Sequence, residues 1–388
     1  MQRAVLSLAL TVCVAGLFRS HLVHGDHLGN HRTVDVIREY GYEAEEYNVV
    51  TEDGYILALT RIKSNSTKLP VLMMHGVLSS SEQWVMKGPG QDLAFLLVDE
   101  GHEVWLGDQR GNHYSRNHVI YNTSQPEYWD FSFHEAGLYD LPAFINTVLN
   151  YSDSEQLYYV GHSMGTSVYY VMCSMRPEYN HLVRSAVHLA PVVYGIRKSL
   201  TSSLQLMLQN AQDIAEVLRK QNIHEFLPRN SRNQRMIDNF CSERNKFLCL
   251  FMVGQIYGPE TYITNTTKLR NYLKSLQSGT SIKTMLHLTQ IYRTKNFAQY
   301  DYGKQENYEI YKDKDAPDYP LDKVTSPIAL FYSDQDAFVD ESSIERLTRA
   351  LPNVITTASI PNYNHIDVLF ADNAPAVLFQ TIIKLLNV

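Results

Sequence analysis

Three side chains, far apart in this 388-residue chain, have the types and order needed for nucleophilic catalysis. The first is Ser163, in Gly161-His162-Ser163-Met164-Gly165. A bare G-x-S-x-G is a weak signal. Here the apolar and aromatic run Leu157-Tyr-Tyr-Val160 precedes it and a helix-forming run follows, which is the strand–turn–helix context of a nucleophile elbow. Such a turn is so sharp that the residues two before and two after the serine must lack a bulky Cβ. It holds the hydroxyl at the C-terminal edge of a sheet, over a helix N-terminus that favours developing negative charge. The competing reading is a tight βα turn with a bystander serine. What decides is whether an acid and then a histidine follow in the chain.

Both do. Ile360-Pro-Asn-Tyr-Asn-His365-Ile-Asp367 places His365 in a polar loop just after the last strand-like run, and imidazole is suited to proton transfer near neutral pH. One strand earlier, Leu330 to Val339 carries Asp334 and Asp336, with Asp340 just beyond. Asp336 opens an Asp-x-x-Val turn in which Val339 packs back on the sheet, leaving the carboxylate to orient the imidazole. Asp334 lies closer to the strand end and is assigned to turn hydrogen bonding. The oxyanion of a tetrahedral intermediate needs two backbone N–H donors. These are assigned to Met164, the residue after the nucleophile, and Val77, in the loop after His75-Gly76. His75 and His162 flank the site and are expected to be scaffold residues. Asp108, Arg110 and Asn112 are expected to hydrogen-bond loops beneath it. The chemistry calls for no metal and no dissociable cofactor.

These residues need a parallel sheet to hold them. Tyr47–Val50 and Tyr55–Ile62 flank Asp53-Gly54 as a hairpin. Val71–Met74, Glu103–Leu106, the elbow strand and Ser185–Leu189 read as buried strands. Helical segments run over 34–40, 91–100 and 133–149 and follow the elbow. The alternation predicts an α/β fold with a mostly parallel sheet. It breaks near Tyr194. Residues 195–320 are polar and helix-like, and the rhythm resumes with a strand at 327–332, a helix at 342–351, a strand at 354–360 and a helix at 374–386. The expected organisation is a leader over 1–25, a core over 26–194, an inserted helical cap over 195–320 and the rest of the core over 321–388.

Net charge is −7 with no basic run, which argues against a nucleic-acid partner. Met1-Gln-Arg followed by an apolar run from Ala4 to Phe18 reads as a signal peptide, with cleavage after Gly25 or earlier near Ala15-Gly16. No later stretch is apolar enough to span a membrane. Cleavage would place the mature chain in an oxidising compartment, outside the cell or in the lysosome. Of four cysteines, Cys13 leaves with the leader and Cys173 is expected as a buried thiol. Cys241 and Cys249 lie in a polar, loop-capable stretch and can form a disulfide; no C-x-x-C or histidine pair nearby supports zinc. Sequons at Asn65, Asn122, Asn150 and Asn265 suit a glycosylated secretory protein.

Taken together these segments resemble the acid lipases, the family of gastric, lingual and lysosomal enzymes and their insect relatives. The likeness runs from Thr33-Val-Asp-Val-Ile37 and Glu45-Glu-Tyr-Asn-Val-Val-Thr-Glu-Asp-Gly-Tyr-Ile56 through His75-Gly-Val77 and Val104-Trp-Leu-Gly-Asp-Gln-Arg-Gly-Asn112. It continues through Tyr139-Asp-Leu-Pro142 and the elbow to Asn362-Tyr-Asn-His-Ile-Asp367, nearly the whole of 33–388. The resemblance implies an α/β-hydrolase core with a lid-bearing helical cap, Ser163, Asp336 and His365 as triad, Val77 and Met164 as oxyanion donors, and Cys241–Cys249 as the cap disulfide. It also implies lipid esters, chiefly triacylglycerols met at a lipid–water interface, as substrate. An esterase for dissolved short-chain esters and a non-catalytic lipid-binding protein are the alternatives. Two positions depart from the pattern. The family's usual elbow is Gly-His-Ser-Gln-Gly, with Met164 here in place of Gln, and the oxyanion-loop position is commonly Leu, with Val77 here. Because both donors are main-chain, the departures bear on substrate choice more than on chemistry.

Overall fold

A computed structural model describes residues 32–195, 202–259, 261–263 and 265–387. The expected leader, with Cys13, lies outside the described residues.

The sheet begins with a hairpin, β1 (Ala44–Val50) and β2 (Tyr55–Ile62), paired antiparallel from Ala44 opposite Ile62 to Val50 opposite Ile56. Its turn needs Gly54, whose φ of 97° is open only to a residue without Cβ. Then come β3 (Val71–Met74) and β4 (Val104–Gly107), every residue of which is buried. The two-residue β5 (Asn117–His118) pairs with β2. β6 (Leu157–His162) and β7 (Val183–Leu189) follow. β8 (Glu225–Phe226) and β9 (Thr280–Ser281) form a separate two-stranded ribbon. β10 (Ile328–Ser333) and β11 (Val354–Ile360) return to the main sheet.

The strand order is β1-β2-β4-β3-β6-β7-β10-β11. β4 pairs antiparallel with β2, and every pairing from β4 to β11 is parallel. Strands such as Val71-Leu-Met-Met74 have no polar face because helices cover both sides of a parallel sheet. The elbow strand β6 sits in the middle of this order, between β3 and β7. The helix after it, Met164–Met175, packs against Phe133–Ser152, which is interrupted by a π turn over Ala136–Asp140. The approach depends on Gly137, where a Cβ would lie 2.5 Å from the Cβ of Val171.

Between β7 and β10 the chain leaves the sheet. The described residues there form helices at Ser202–Gln209, Ala211–Lys220, Ser231–Phe240, Lys246–Tyr257, Thr266–Ser275, Ile282–Thr294 and Lys304–Tyr311. A small apolar cluster of Ala215, Leu218, Ile223, Ile282, Leu286 and Tyr300 holds part of this layer together. Cys241 and Cys249 form a disulfide with Cα atoms 5.0 Å apart. They do not lie in a long loop. Cys241 ends one helix and Cys249 lies in the first turn of the next, so the bond staples a helical corner. Two part-buried ion pairs tie the layer to the segments around the sheet. The Arg229 guanidinium grips both carboxylate oxygens of Glu82, and Arg116 holds Glu225 at 2.6 and 3.0 Å. Cys173 is buried and unpaired, and burial pushes its thiol up to about 12.

Candidate active site

Ser163 has φ 53° and ψ −122°, a conformation costly for any residue with a Cβ and tolerated only where the surroundings enforce it. The enforcing contacts are local. The Ser163 N–H donates to Leu189 C=O at 3.0 Å, and its own carbonyl accepts from the Thr166 N–H and hydroxyl at 2.9 and 2.6 Å. The two elbow glycines are required by space. A Cβ on Gly165 would stand 2.6 Å from the Met74 carbonyl oxygen, and one on Gly161 2.8 Å from the Tyr159 ring. The hydroxyl is thereby carried to the C-terminal end of β6, one residue before the helix.

His365 and Asp336 come to it from the loops after β11 and β10. His365 Nε2 lies 2.8 Å from Ser163 Oγ, and His365 Nδ1 lies 2.8 Å from Asp336 Oδ2. The other oxygen of Asp336 accepts from the Phe338 and Val339 N–H groups at 2.7 and 3.1 Å, which is the Asp-x-x-Val turn expected from sequence. All three side chains are buried, with Ser163 only 6% exposed. Asp334 does not reach the imidazole; its Oδ1 accepts from the Asn362 N–H at 2.6 Å and fastens the loop that bears the histidine. Asp340 caps the helix Glu341–Ala350. With the carboxylate accepting at Nδ1, the imidazole carries its proton there and presents the Nε2 lone pair to the serine.

The N–H groups expected to receive an oxyanion are those of Met164 and Val77. Met164 is the first residue of its helix, so its N–H has no partner in the preceding turn. Gly76, which precedes Val77, lies against Ser163: a Cβ built on it would be 3.0 Å from Ser163 Cβ. His75 sets that peptide. Its Nε2 accepts from the Gln109 N–H and Asn112 Nδ2, each at 3.1 Å, so Nδ1 donates to the Gly76 carbonyl at 2.8 Å. Carbonyl and N–H point opposite ways across a planar trans peptide, so holding the Gly76 oxygen aims the Val77 N–H. Burial lowers His75 to about 4, which keeps it neutral and able to accept. Behind it, Asn112 donates to Asp108 at 2.7 Å, and Asp108 accepts from Ser81 N–H and hydroxyl at 2.8 and 2.7 Å. Arg110 is turned away from this network, held between Asp140 and Asp53. His162 donates from Nε2 to the His365 carbonyl at 3.2 Å; burial above all, with the neighbouring His365, lowers it to about 3.

A third part of the site left no trace in side-chain patterns. The carbonyl of Tyr257 accepts from both the His365 N–H, at 3.0 Å, and the Ala337 N–H, at 3.2 Å. The only sequence signal at this point, Gly258 after an apolar helix, reads as an ordinary helix stop.

This site lies on a chain whose relationships agree with it. Residues 70–372 match the family model described as the alpha/beta hydrolase fold, and residues 33–88 match a partial alpha/beta-hydrolase lipase region. The chain belongs to the α/β-hydrolases and, within them, to the acid lipase family. It is 35% identical to Lipase 1 of Drosophila melanogaster, over 91% of this chain and 79% of the relative. It is 34% identical to the gastric triacylglycerol lipase of Homo sapiens, over 91% and 90%. Among solved structures, a thermophilic esterase from Thermogutta terrifontis superposes with a TM-score of 0.52, covering 88% of this chain and 98% of that one. At 15% identity that likeness speaks for the fold alone.

Proposed function

We propose that the protein is a serine lipase that hydrolyses triacylglycerols to free fatty acids through an acyl-enzyme on Ser163. The observation that carries this reading is the continuous chain from Ser163 Oγ to His365 to Asp336, with 2.8 Å at each step. His365 takes the hydroxyl proton as Ser163 attacks the ester carbonyl. Asp336 holds the imidazole and stabilises its cation. The Val77 and Met164 N–H groups receive the oxyanion, and the alcohol leaves with the proton returned by His365. Water, activated by the same nitrogen, then frees the fatty acid.

In this reading residues 26–194 and 321–388 form the core, and 195–320 form a cap that shields the acyl chain from water. Contact with a lipid–water interface is supported by the helix Lys246–Tyr257, where Phe247 is 88% exposed and Leu248 and Phe251 about half exposed. Secretion or lysosomal delivery rests on the N-terminal leader. The side chains of Asn65, Asn122, Asn150 and Asn265 are all exposed and are proposed to carry glycans. No described helix is long and apolar enough to cross a membrane.

A panel of emulsified triacylglycerols, cholesteryl esters, phospholipids and dissolved short-chain esters, run from acidic to mildly alkaline pH, tests the assignment. Faster turnover of emulsified long-chain triacylglycerol than of the dissolved esters is expected. The reverse order would make the protein an esterase, and no turnover on any ester would leave only lipid binding.

A further inference from the structure

The Tyr257 carbonyl that accepts from His365 and Ala337 belongs to a short strap at the end of the apolar cap helix. Its next residue is wedged between the two catalytic loops. Gly258 has φ 126°, and a Cβ on it would stand 2.0 Å from the carbonyl oxygen of Gln335 and 2.9 Å from the Cβ of Asn364. Gln335 precedes the acid and Asn364 precedes the base. One peptide of the cap therefore touches the residue immediately before each of them and hydrogen-bonds immediately after the acid and at the base itself.

Thr261 and Tyr262, a few residues on in the chain, are latched to the histidine loop as well. Asp367, fully buried, accepts from the Thr261 hydroxyl at 2.7 Å and the Tyr262 N–H at 3.1 Å through one oxygen, and from the Asn364 N–H at 3.1 Å through the other. Asn364 Oδ1 in turn accepts from the Ile366 and Asp367 N–H groups, each at 3.1 Å, closing the loop on itself. The N–H of Asp372 donates to the Tyr262 carbonyl at 3.3 Å. Loops after different strands have no covalent reason to keep a 2.8 Å imidazole–carboxylate contact, and here a single external segment is bonded to both.

We infer that Gly258 and Thr261 are positioning residues: Tyr257–Gly258 and Thr261–Tyr262 together set the separation of His365 from Asp336, so that the cap is part of the catalytic frame. The inference rests on the proposed roles of those two residues. It requires that the cap act through backbone contacts on the acid and base loops, separately from any contact with substrate. Displacing a reacting group by about 1 Å can cost on the order of 10²-fold in rate, and relieving a 2.0 Å contact needs a movement of that size.

The test uses the full-length protein with Gly258→Ala, and Gly303→Ala as its matched control. Gly303 also has a left-handed φ, 92°, but a Cβ there meets nothing within 4 Å. Three readouts are taken: kcat and KM on a dissolved short-chain ester, the rate at which a small phosphonate ester labels Ser163, and the low-field proton NMR signal of the His365–Asp336 hydrogen bond. Gly258→Ala is expected to lower kcat and the labelling rate roughly 10²-fold with KM within about threefold, and to weaken or shift the low-field signal. Gly303→Ala should change none of these, whatever it does to Tm. Thr261→Val should lower kcat in the same sense, with Thr261→Ser restoring it. Should Gly258→Ala fail to fold, the Thr261 pair decides alone. If Ser163 in the unaltered protein is not labelled, the catalytic reading fails. If it is labelled, and Gly258→Ala or Thr261→Val is labelled at the same rate with an unchanged low-field signal, the positioning inference is overturned.

Discussion

Replacing Asp336 by Asn probes the site with almost no change of shape. Oδ1 of Asp336 accepts two backbone N–H groups, at 2.7 and 3.1 Å, while Oδ2 faces His365 Nδ1. In the amide the backbone pair holds the carbonyl oxygen at the Oδ1 position, so the –NH₂ is turned toward the imidazole. Two donors cannot face each other. The imidazole moves its proton to Nε2, which then points a hydrogen at Ser163 Oγ and cannot act as base. The amide could turn over, but its –NH₂ would then confront two buried N–H donors, each left unsatisfied at about 1–3 kcal/mol. That penalty of roughly 2–6 kcal/mol leaves a base-competent fraction between about 1 in 30 and about 1 in 3 × 10⁴. Stopped-flow acylation by a dissolved p-nitrophenyl ester should therefore slow by a factor in that range, with thermal stability little altered. Asp334→Asn keeps an oxygen for the Asn362 N–H and should stay within about threefold of the unaltered rate, since that contact asks only for a carbonyl-type acceptor. Asp336→Asn acylating within about fivefold of the unaltered rate, or Asp334→Asn losing more than Asp336→Asn, would refute the assignment of the orienting acid.

Other consequences concern the neighbouring residues. Met164→Gln gives the family's usual elbow and should leave kcat within about threefold, because the proposed donor is the main-chain N–H; a change of 10² or more would mean that the side chain itself takes part. Burial lowers His162 to about 3 from an unfolded value near 6.5. The sign follows: its contribution is fully present above the unfolded value and is lost as pH falls toward the folded one, because the unfolded chain binds the proton first. Between pH 7 and 5 this amounts to about 2 kcal/mol of lost stability. Urea unfolding of His162→Gln at the two pH values should show a correspondingly smaller decline, and an unchanged decline would mean that His162 is not the group responsible.

How much could be read in advance varied with the physical origin of each element. β3 and β11 were legible to the residue, the one because a fully buried strand is a pure apolar run, the other because turn residues bound it on both sides. The order serine, acid, histidine was legible because each side chain follows a strand, and Asp336 was separable from Asp334 by the turn it opens. The π turn at Ala136–Asp140 was not, since it exists to seat Gly137 on Val171 in another helix. Nor was the ribbon of β8 and β9, where two residues per strand leave no periodicity. The cysteine stretch looked like loop because the helix before it, Ser231–Phe240, is rich in polar residues and the turn Glu243–Asn245 that joins it to the next is wholly polar. The Tyr257 carbonyl was invisible for a plainer reason: a main-chain acceptor carries no residue type.

Ser163 itself offers the most direct test. Purified protein and Ser163→Ala, matched by circular dichroism and thermal unfolding, are each given emulsified triacylglycerol and, separately, a phosphonate ester followed by intact and peptide mass spectrometry. Fatty-acid release and a single phosphonyl adduct on Ser163 are expected in the unaltered protein, and neither in Ser163→Ala. Fatty-acid release by Ser163→Ala at a rate comparable to the unaltered protein, or an adduct on a different residue, would contradict the proposed role of Ser163.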